Sequence, residues 1–275
     1  MSWLRRQRTA KARDKNICEK LVETGHVDMM LSVGTNFFYT KSLPCSLWFF
    51  DKGKPEALQD KVLFIDARNY YTVVDRTLNE WSPWQMKNLN AIVWLYRSET
   101  EKYIALLKEY RDFLRTKVEP TDNDDLKEAV NRNSFSDIVD SLKEVLSTAR
   151  KSAKAEVEEA GKRDKKSVQQ AWDDKIAYID SLLTVAKDAS WLYEKFGDGK
   201  YQDVPGLCKI TTRTEIKKKN YSFTPGAYVG VAPVEDDGVD FEKRTAEIHK
   251  ELLALQAESN ELMDTISANM KEMGL

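Results

Sequence analysis

Histidine and cysteine are scarce in this chain. Only His26 and His249 could supply imidazole, and Cys18, Cys45 and Cys208 lie far apart among 275 residues. That leaves no zinc-ligand spacing, no disulfide framework and no basis for a histidine-centred triad or metal site. The eleven glycines are scattered, with no close Gly-x-Gly pair after a strand-like run, so a phosphate-cradling loop is missing. The one local pair, Gly197-Asp198-Gly199, follows the helical stretch Trp191–Phe196 and reads as a helix stop. GxSxG, P-loop and HExxH motifs are absent, so no hydrolase or dehydrogenase chemistry is signalled. No apolar run is long enough to span a membrane, and the chain reads as cytoplasmic with no membrane partner. Lys and Arg total 43 against 45 Asp and Glu, a net charge of −2. Proteins that bind nucleic acid unaided are usually more basic, so bulk DNA affinity is expected to come from elsewhere.

Aromatic residues, by contrast, are concentrated. Val33–Gly53 packs Phe37, Phe38 and Tyr39 into a polar turn, followed by Lys41-Ser42-Leu43-Pro44 and the apolar run Cys45–Phe50. Such a cluster either caps a core or offers a stacking surface. Around it, Asn16–Gly25 reads as a short amphipathic helix ended by Gly25, and His26–Val33, Pro44–Phe50 and Lys61–Ala67 read as strands. The order is helix, strand, aromatic loop, strand, turn, strand, which suggests the second half of an α/β sheet. Trp48, Phe49 and Phe50 are expected in its core, and Asp66 with Arg68 as a local ion pair at a strand end.

The words KLVETGHVDMMLSVGTNFFYTKSLPCSLWFFDKGKP, VLFIDARNYYTVVDRTLNEWSP, DVPGLCKITTRTEI and YSFTPGAYVGVAP cover most of the chain in order. They resemble the C-terminal part of the modification (methylase) subunit of type I restriction–modification systems, which are adenine-N6 DNA methyltransferases. The resemblance implies an α/β fold: the C-terminal half of a class I S-adenosylmethionine-dependent methyltransferase sheet, then an α-helical extension and a terminal coiled-coil-like helix. It implies S-adenosyl-L-methionine as the cofactor of the intact enzyme. Its partners would be DNA and the specificity and restriction subunits, in a hetero-oligomer.

Two marks of that family are missing. There is neither a Gly-rich cofactor loop nor an Asn-Pro-Pro-Phe/Tyr tetrapeptide, and no cofactor-binding residue can be named in this chain. The cofactor half is expected upstream of Met1, and the isolated chain is expected to be inactive. Met1–Lys15 is basic and departs from the family text. It suits a non-native start or, alternatively, a nucleic-acid-binding arm. By resemblance, Thr35–Lys41 matches the loop that faces the tetrapeptide and stacks on the target base. Phe38 is the first choice for the stacking ring. Phe37 and Tyr39 follow, with Lys41 near a phosphate. The bland alternative is that these aromatics are core.

The remaining chain divides by composition. Residues 1–15 form a disordered start, 16–97 the partial α/β domain, and 98–196 a helical extension. Residues 197–238 form an irregular arm, and 239–275 a terminal helix. Ser82-Pro83 marks a helix start, with Ser82 as cap. Lys151–Lys166 is nearly all polar and suits an exposed extension or hairpin. The arm carries Thr224-Pro225-Gly226-Ala227-Tyr228-Val229, where Ala227 replaces the family's usual Arg. It lies either on its own domain or against DNA or a partner. Phe241, Ile248, Leu252, Leu255, Leu262 and Ile266 recur at coiled-coil spacing. A helix of roughly 30 residues is ~45 Å long, and by resemblance it docks on the specificity subunit. The competing reading of the whole chain is a non-catalytic interaction module or inactive remnant.

Overall fold

A computed structural model describes residues 12–38, 40–161 and 164–232, and, beyond these, residues 245, 248–250, 252–253, 255–256, 259–260 and 262–263. The chain divides into two units, 1–232 and 233–275. The first is built on a four-stranded mixed sheet. Its strands are β1 (Val27–Val33), β2 (Cys45–Phe50), β3 (Lys61–Ala67) and β6 (Cys208–Thr212), in the order β2-β1-β3-β6. β1 and β3 are parallel neighbours, while β2 and β6 flank them antiparallel. A separate hairpin, β4 (Thr72–Val73) with β5 (Asn79–Glu80), follows β3.

Alternation along the strands explains why both faces are covered. Met29, Leu31 and Val33 of β1, with Leu63, Ile65 and Ala67 of β3, join the core shared with the helices α2 (Pro83–Tyr96), α3 (Thr100–Val118), α4 (Asp124–Val130), α5 (Phe135–Glu159) and α6 (Lys165–Phe196). Met30, Val62 and Phe64 face the other way. They pack with α1 (Ala12–Glu23), α7 (Arg213–Lys218) and α8 (Gly226–Val229) through Cys18, Val22, Ile216, Tyr228 and Val229. β1 is buried along its whole length.

The helix start expected at Ser82-Pro83 is met, while α1 begins at Ala12, four residues before the expected Asn16. Ser82 accepts from the Gln85 amide while the Gln85 side chain accepts from the Ser82 amide, a capping box with Pro83 in the first turn. α3 buries Tyr103, Leu106, Tyr110, Leu114 and Val118, a single helical stripe. α5 and α6 form a long hairpin whose polar tip falls within the Lys151–Lys166 stretch.

Two expectations need correcting. Phe49 and Phe50 are exposed and not core, because β2 is an edge strand whose packing against the two cores is limited to Cys45 and Trp48. Only Trp48 of that trio is half-buried, against Phe223. The arm is also more regular than its punctuation suggests, since Cys208–Thr212 adds the fourth strand to the sheet. Of the start, Ala12–Lys15 belongs to α1 and residues 1–11 lie outside the described residues.

Charges are buried at the start of β1. The Asp28 carboxylate lies 2.5 Å from the Arg97 guanidinium and 3.8 Å from the fully buried Lys54 ammonium. Lys54 also donates to the carbonyls of Val27, at 2.7 Å, and Lys61. Burial pulls the Lys54 ammonium below its usual range, and the Asp28 charge pushes back. Asp28→Asn would leave a buried cation uncompensated, and a loss of about 3 kcal/mol is expected in urea unfolding.

A second buried polar group joins the helices. Asn88 donates to Tyr70 Oη and the Asp188 carbonyl and accepts from Tyr110 Oη, each at 2.9 Å. The half-buried Asp188 carboxyl is pushed up to about 6 by lost hydration, against a hydrogen bond from Ser82. Its raised folded-state value favours the fold while the group is protonated and costs stability as pH rises through 6. Asp188→Asn should therefore stabilise the protein by about 1 kcal/mol at pH 7.5, after discounting for partial exposure, and by almost nothing at pH 4. Urea unfolding of both proteins at the two pH values reads this difference.

Candidate functional site

In open α/β sheets, ligands bind beyond the carboxyl ends of parallel strands. Here that rim is formed by the loop after β1, Gly34–Pro44, and the segment after β3, Arg68–Tyr71. The two approach closely. A Cβ on Gly34 would lie 2.7 Å from the Arg68 carbonyl oxygen, so only glycine lets the backbones meet.

The aromatic loop is held from below. Asn36 adopts a left-handed backbone (φ 63°), which Asn tolerates better than most residues. Its carbonyl accepts from the Asn79 amide at 2.7 Å, and the Asn79 side chain donates to the Thr35 carbonyl at 3.0 Å. Phe37 is half-buried, 4.8 Å from the Trp81 ring and 5.9 Å, edge to face, from Tyr71. Trp81 is fixed in turn by its indole N–H donating to the Tyr70 carbonyl at 2.6 Å. The chain then turns tightly at Phe38, whose carbonyl accepts from the Lys41 amide at 3.2 Å.

The residues expected at this site thus differ in setting. Phe37 is packed between the hairpin and the sheet rim. Phe38 is half-buried at the turn, Lys41 is exposed, and Tyr39 lies outside the described residues. Asn79, Tyr71 and Trp81 support the loop from over thirty residues away, and no local pattern in the sequence signals them.

Next to the loop, Asp66 and Arg68 form a two-pronged ion pair. Arg68 Nε donates to Asp66 Oδ1 at 2.8 Å and Nη2 to Oδ2 at 2.6 Å. The pair raises the Arg68 guanidinium above its usual range, chiefly through that hydrogen bond. The arm closes over it. A Cβ on Gly226 would fall 2.6 Å from Arg68 Nη2, and Tyr228 stacks on Phe64 at 4.1 Å. The arm segment Gly226–Val229 therefore lies on its own sheet.

The rim does not suit S-adenosylmethionine. β1 runs into the aromatic loop and β3 into the β4–β5 hairpin, so neither parallel strand leads through a Gly-rich turn into a helix. Among the described residues, no group of three or more His, Cys, Asp or Glu could hold a metal, and no helix is long and apolar enough to cross a membrane. A groove of about 390 Å³ between α4, α5 and α6 shares no lining residue with the loop.

Asn79→Ala should cost about 1 kcal/mol, the typical worth of a partly buried hydrogen bond. Amide exchange is expected to speed up across Thr35–Lys41 while the β1 amides stay protected.

Residues 9–113 match the family model for N-6 DNA methylase. The methylase subunit of the type I restriction enzyme MjaIX from Methanocaldococcus jannaschii is 25% identical over 94% of this chain, which spans 29% of that protein. The methylase subunit of the type I restriction enzyme HindI from Haemophilus influenzae is 37% identical over 33% of this chain and 20% of its own length. Among solved structures, a type I restriction–modification methyltransferase subunit from Streptococcus thermophilus matches 30% of this chain and 17% of its own, at 19% identity and a TM-score of 0.27. The chain spans less than a third of the length of these curated relatives. This chain is similar to part of those type I methylase subunits, and over residues 9–113 to the N-6 DNA methylase family.

Proposed function

We propose that the chain is the C-terminal portion of an adenine-N6 DNA methyltransferase subunit of a type I restriction–modification system. Its sheet is the C-terminal half of a class I methyltransferase sheet. Its aromatic loop supplies the surface on which the flipped target adenine stacks. The observation that carries this reading is an aromatic turn braced at the carboxyl ends of two parallel strands.

The chemistry asks for such a surface. Adenine N6 is buried in the duplex, so the base must leave the stack at a cost of a few kcal/mol. Stacking on an aromatic ring returns ~1–3 kcal/mol. Phe37 is engaged by Trp81 and Tyr71, which makes it a brace for the turn, and Phe38 follows it as the ring offered to the base. Tyr39 is the neighbouring alternative. The exposed Lys41 is suited to a DNA phosphate. None of these groups needs to titrate. The methyl donor and the polar atoms that hold the amino group come from the half this chain does not carry, so the chain alone is inactive and binds S-adenosylmethionine weakly or not at all.

A second reading is favoured by a specific observation. Described residues of the second unit are helical and expose Ile248, Leu252, Leu255 and Leu262, four positions of the coiled-coil seam; Phe241 and Ile266 lie outside the described residues. On this reading the chain is an interaction module whose terminal helix docks on the specificity subunit, within an assembly that also includes the restriction subunit. The two readings are compatible if docking serves methylation.

Phe38→Ala, tested in the completed methylase, should lower methylation of a target duplex at least a hundredfold and leave S-adenosylmethionine binding intact. Phe38→Tyr should retain most activity. Normal methylation by the alanine variant would remove Phe38 from the site and leave the interaction-module reading.

A further inference from the structure

We propose that Lys217, Lys218 and Lys219, at the end of α7, form a phosphate-binding patch that carries the DNA backbone next to the aromatic loop. The net charge of −2 conceals an uneven distribution. Cys208–Ala232, the segment that runs from β6 through the arm, holds five Lys and Arg against a single Glu, a local charge of +4. Two of those cations are already engaged. Lys209 lies 3.9 Å from Glu215, and Arg213 lies 3.1 Å from Asp60. Lys217, Lys218 and Lys219 are exposed, and among the described residues none of them is ion-paired with a carboxylate.

The backbone around the lysines is held in place. A basic last turn suits the dipole of any helix, but the Lys219 side chain does not serve α7. Its ammonium donates to the Ala227 carbonyl across the turn and lies 4.8 Å from the centre of the Tyr228 ring. Tyr228 is stacked on Phe64 in turn. Directly after the lysines the chain reverses through two left-handed residues, Asn220 (φ 54°) and Tyr221 (φ 53°). Tyrosine seldom adopts that backbone, so its surroundings must hold it there. The Tyr221 amide donates to the Ile216 carbonyl at 2.9 Å, and its hydroxyl donates to the Glu23 carboxylate at 3.0 Å. Ile216 and Tyr221 are both buried, which anchors the segment on each side of the lysines and leaves their charges on the surface.

The patch adjoins the rim that carries the aromatic loop. Gly226, one residue before Ala227, is pressed against the Arg68 guanidinium, and the Arg68 carbonyl meets Gly34 where the loop begins. From the loop, the path over the surface therefore leads past Arg68 and Gly226 to Lys219. Three consecutive exposed ammonium groups suit a ligand that repeats its negative charge along its length, which is what a nucleic-acid backbone does. Such contacts position a duplex without reading its sequence. Naming the polyanion as DNA rests on the methylase reading. An RNA duplex or an anionic membrane offers similar charge and is an outcome of the test.

The test is binding, with no methylation assay. The full 275-residue chain is titrated against a short fluorescent DNA duplex of arbitrary sequence. Anisotropy is read from about 20 mM to about 200 mM salt. Joint Lys217→Gln and Lys218→Gln substitution should weaken binding about tenfold at the lowest salt and reduce the slope of log K on log salt by about 2, whatever the sequence. The variant should melt within a few degrees of the parent chain, because both side chains are exposed. Joint Lys151→Gln and Lys154→Gln substitution removes the same charge from exposed positions on α5 and should change the slope far less. Three results would overturn the proposal: no duplex binding at the lowest salt, a slope unchanged by the Lys217 and Lys218 substitutions, or an equal loss in the α5 variant. Tighter binding to an RNA duplex or to phosphatidylserine vesicles than to DNA would overturn it as well. If the slope falls as expected but the Phe38→Ala methylase methylates normally, only the base-platform reading fails. If Phe38→Ala abolishes methylation and the slope stays unchanged, only the lysine patch fails.

Discussion

The parallel pairing of β1 with β3 is the constraint from which the rest of the first unit follows. It sets Met29, Leu31 and Val33 beside Leu63, Ile65 and Ala67 on one face, and Met30 beside Phe64 on the other. A pair of strands this apolar on both faces must be covered twice. One layer comes from the long helices after residue 83, the other from α1 and the returning arm. The same register brings Gly34 against Arg68, and so puts the aromatic loop next to the Asp66–Arg68 pair. A one-residue slip would invert both faces at once and move that rim.

Polar groups buried at the two ends of this pairing have different jobs. At the start of β1, Lys54 ties the Val27 and Lys61 carbonyls together while Asp28 answers its charge and that of Arg97. Such a cluster contributes little net stability compared with an apolar replacement, but breaking it is costly. A slip in register would strand one of these charges in the core. At the far end, the polar contacts are mostly hydrogen bonds from Asn79, Trp81 and Arg68 to nearby backbone or to Asp66. These orient a loop and do not support a core.

Local signals in the sequence were enough for the elements that depend on local physics. The three strands between residues 27 and 67, the Ser82–Pro83 helix start and the polar tip of the helical hairpin could all be read from spacing and caps. The Asp66–Arg68 pair was legible because its members are two residues apart. What could not be read was long-range. Nothing near Cys208–Thr212 says that it pairs with β3, since an antiparallel edge strand of five residues has too few positions to declare a period. Phe49 and Phe50 looked like core because sequence gives hydrophobicity but not whether a neighbour exists to cover it. The support of the aromatic loop by Asn79 joins residues 44 apart, a separation at which no pattern survives.

Three consecutive aromatics in one turn raise a question of cost. A ring offered to a ligand must be held still beforehand, or its ordering is subtracted from the binding it provides. Phe37 answers this by packing. Once its ring is fixed between Trp81 and Tyr71, and the Asn36 carbonyl is fixed by the Asn79 amide, the backbone entering residue 38 has little freedom left. The Lys41 amide then closes the turn on the Phe38 carbonyl. The order of the turn at Phe38 is thus inherited from the packing of its neighbour Phe37.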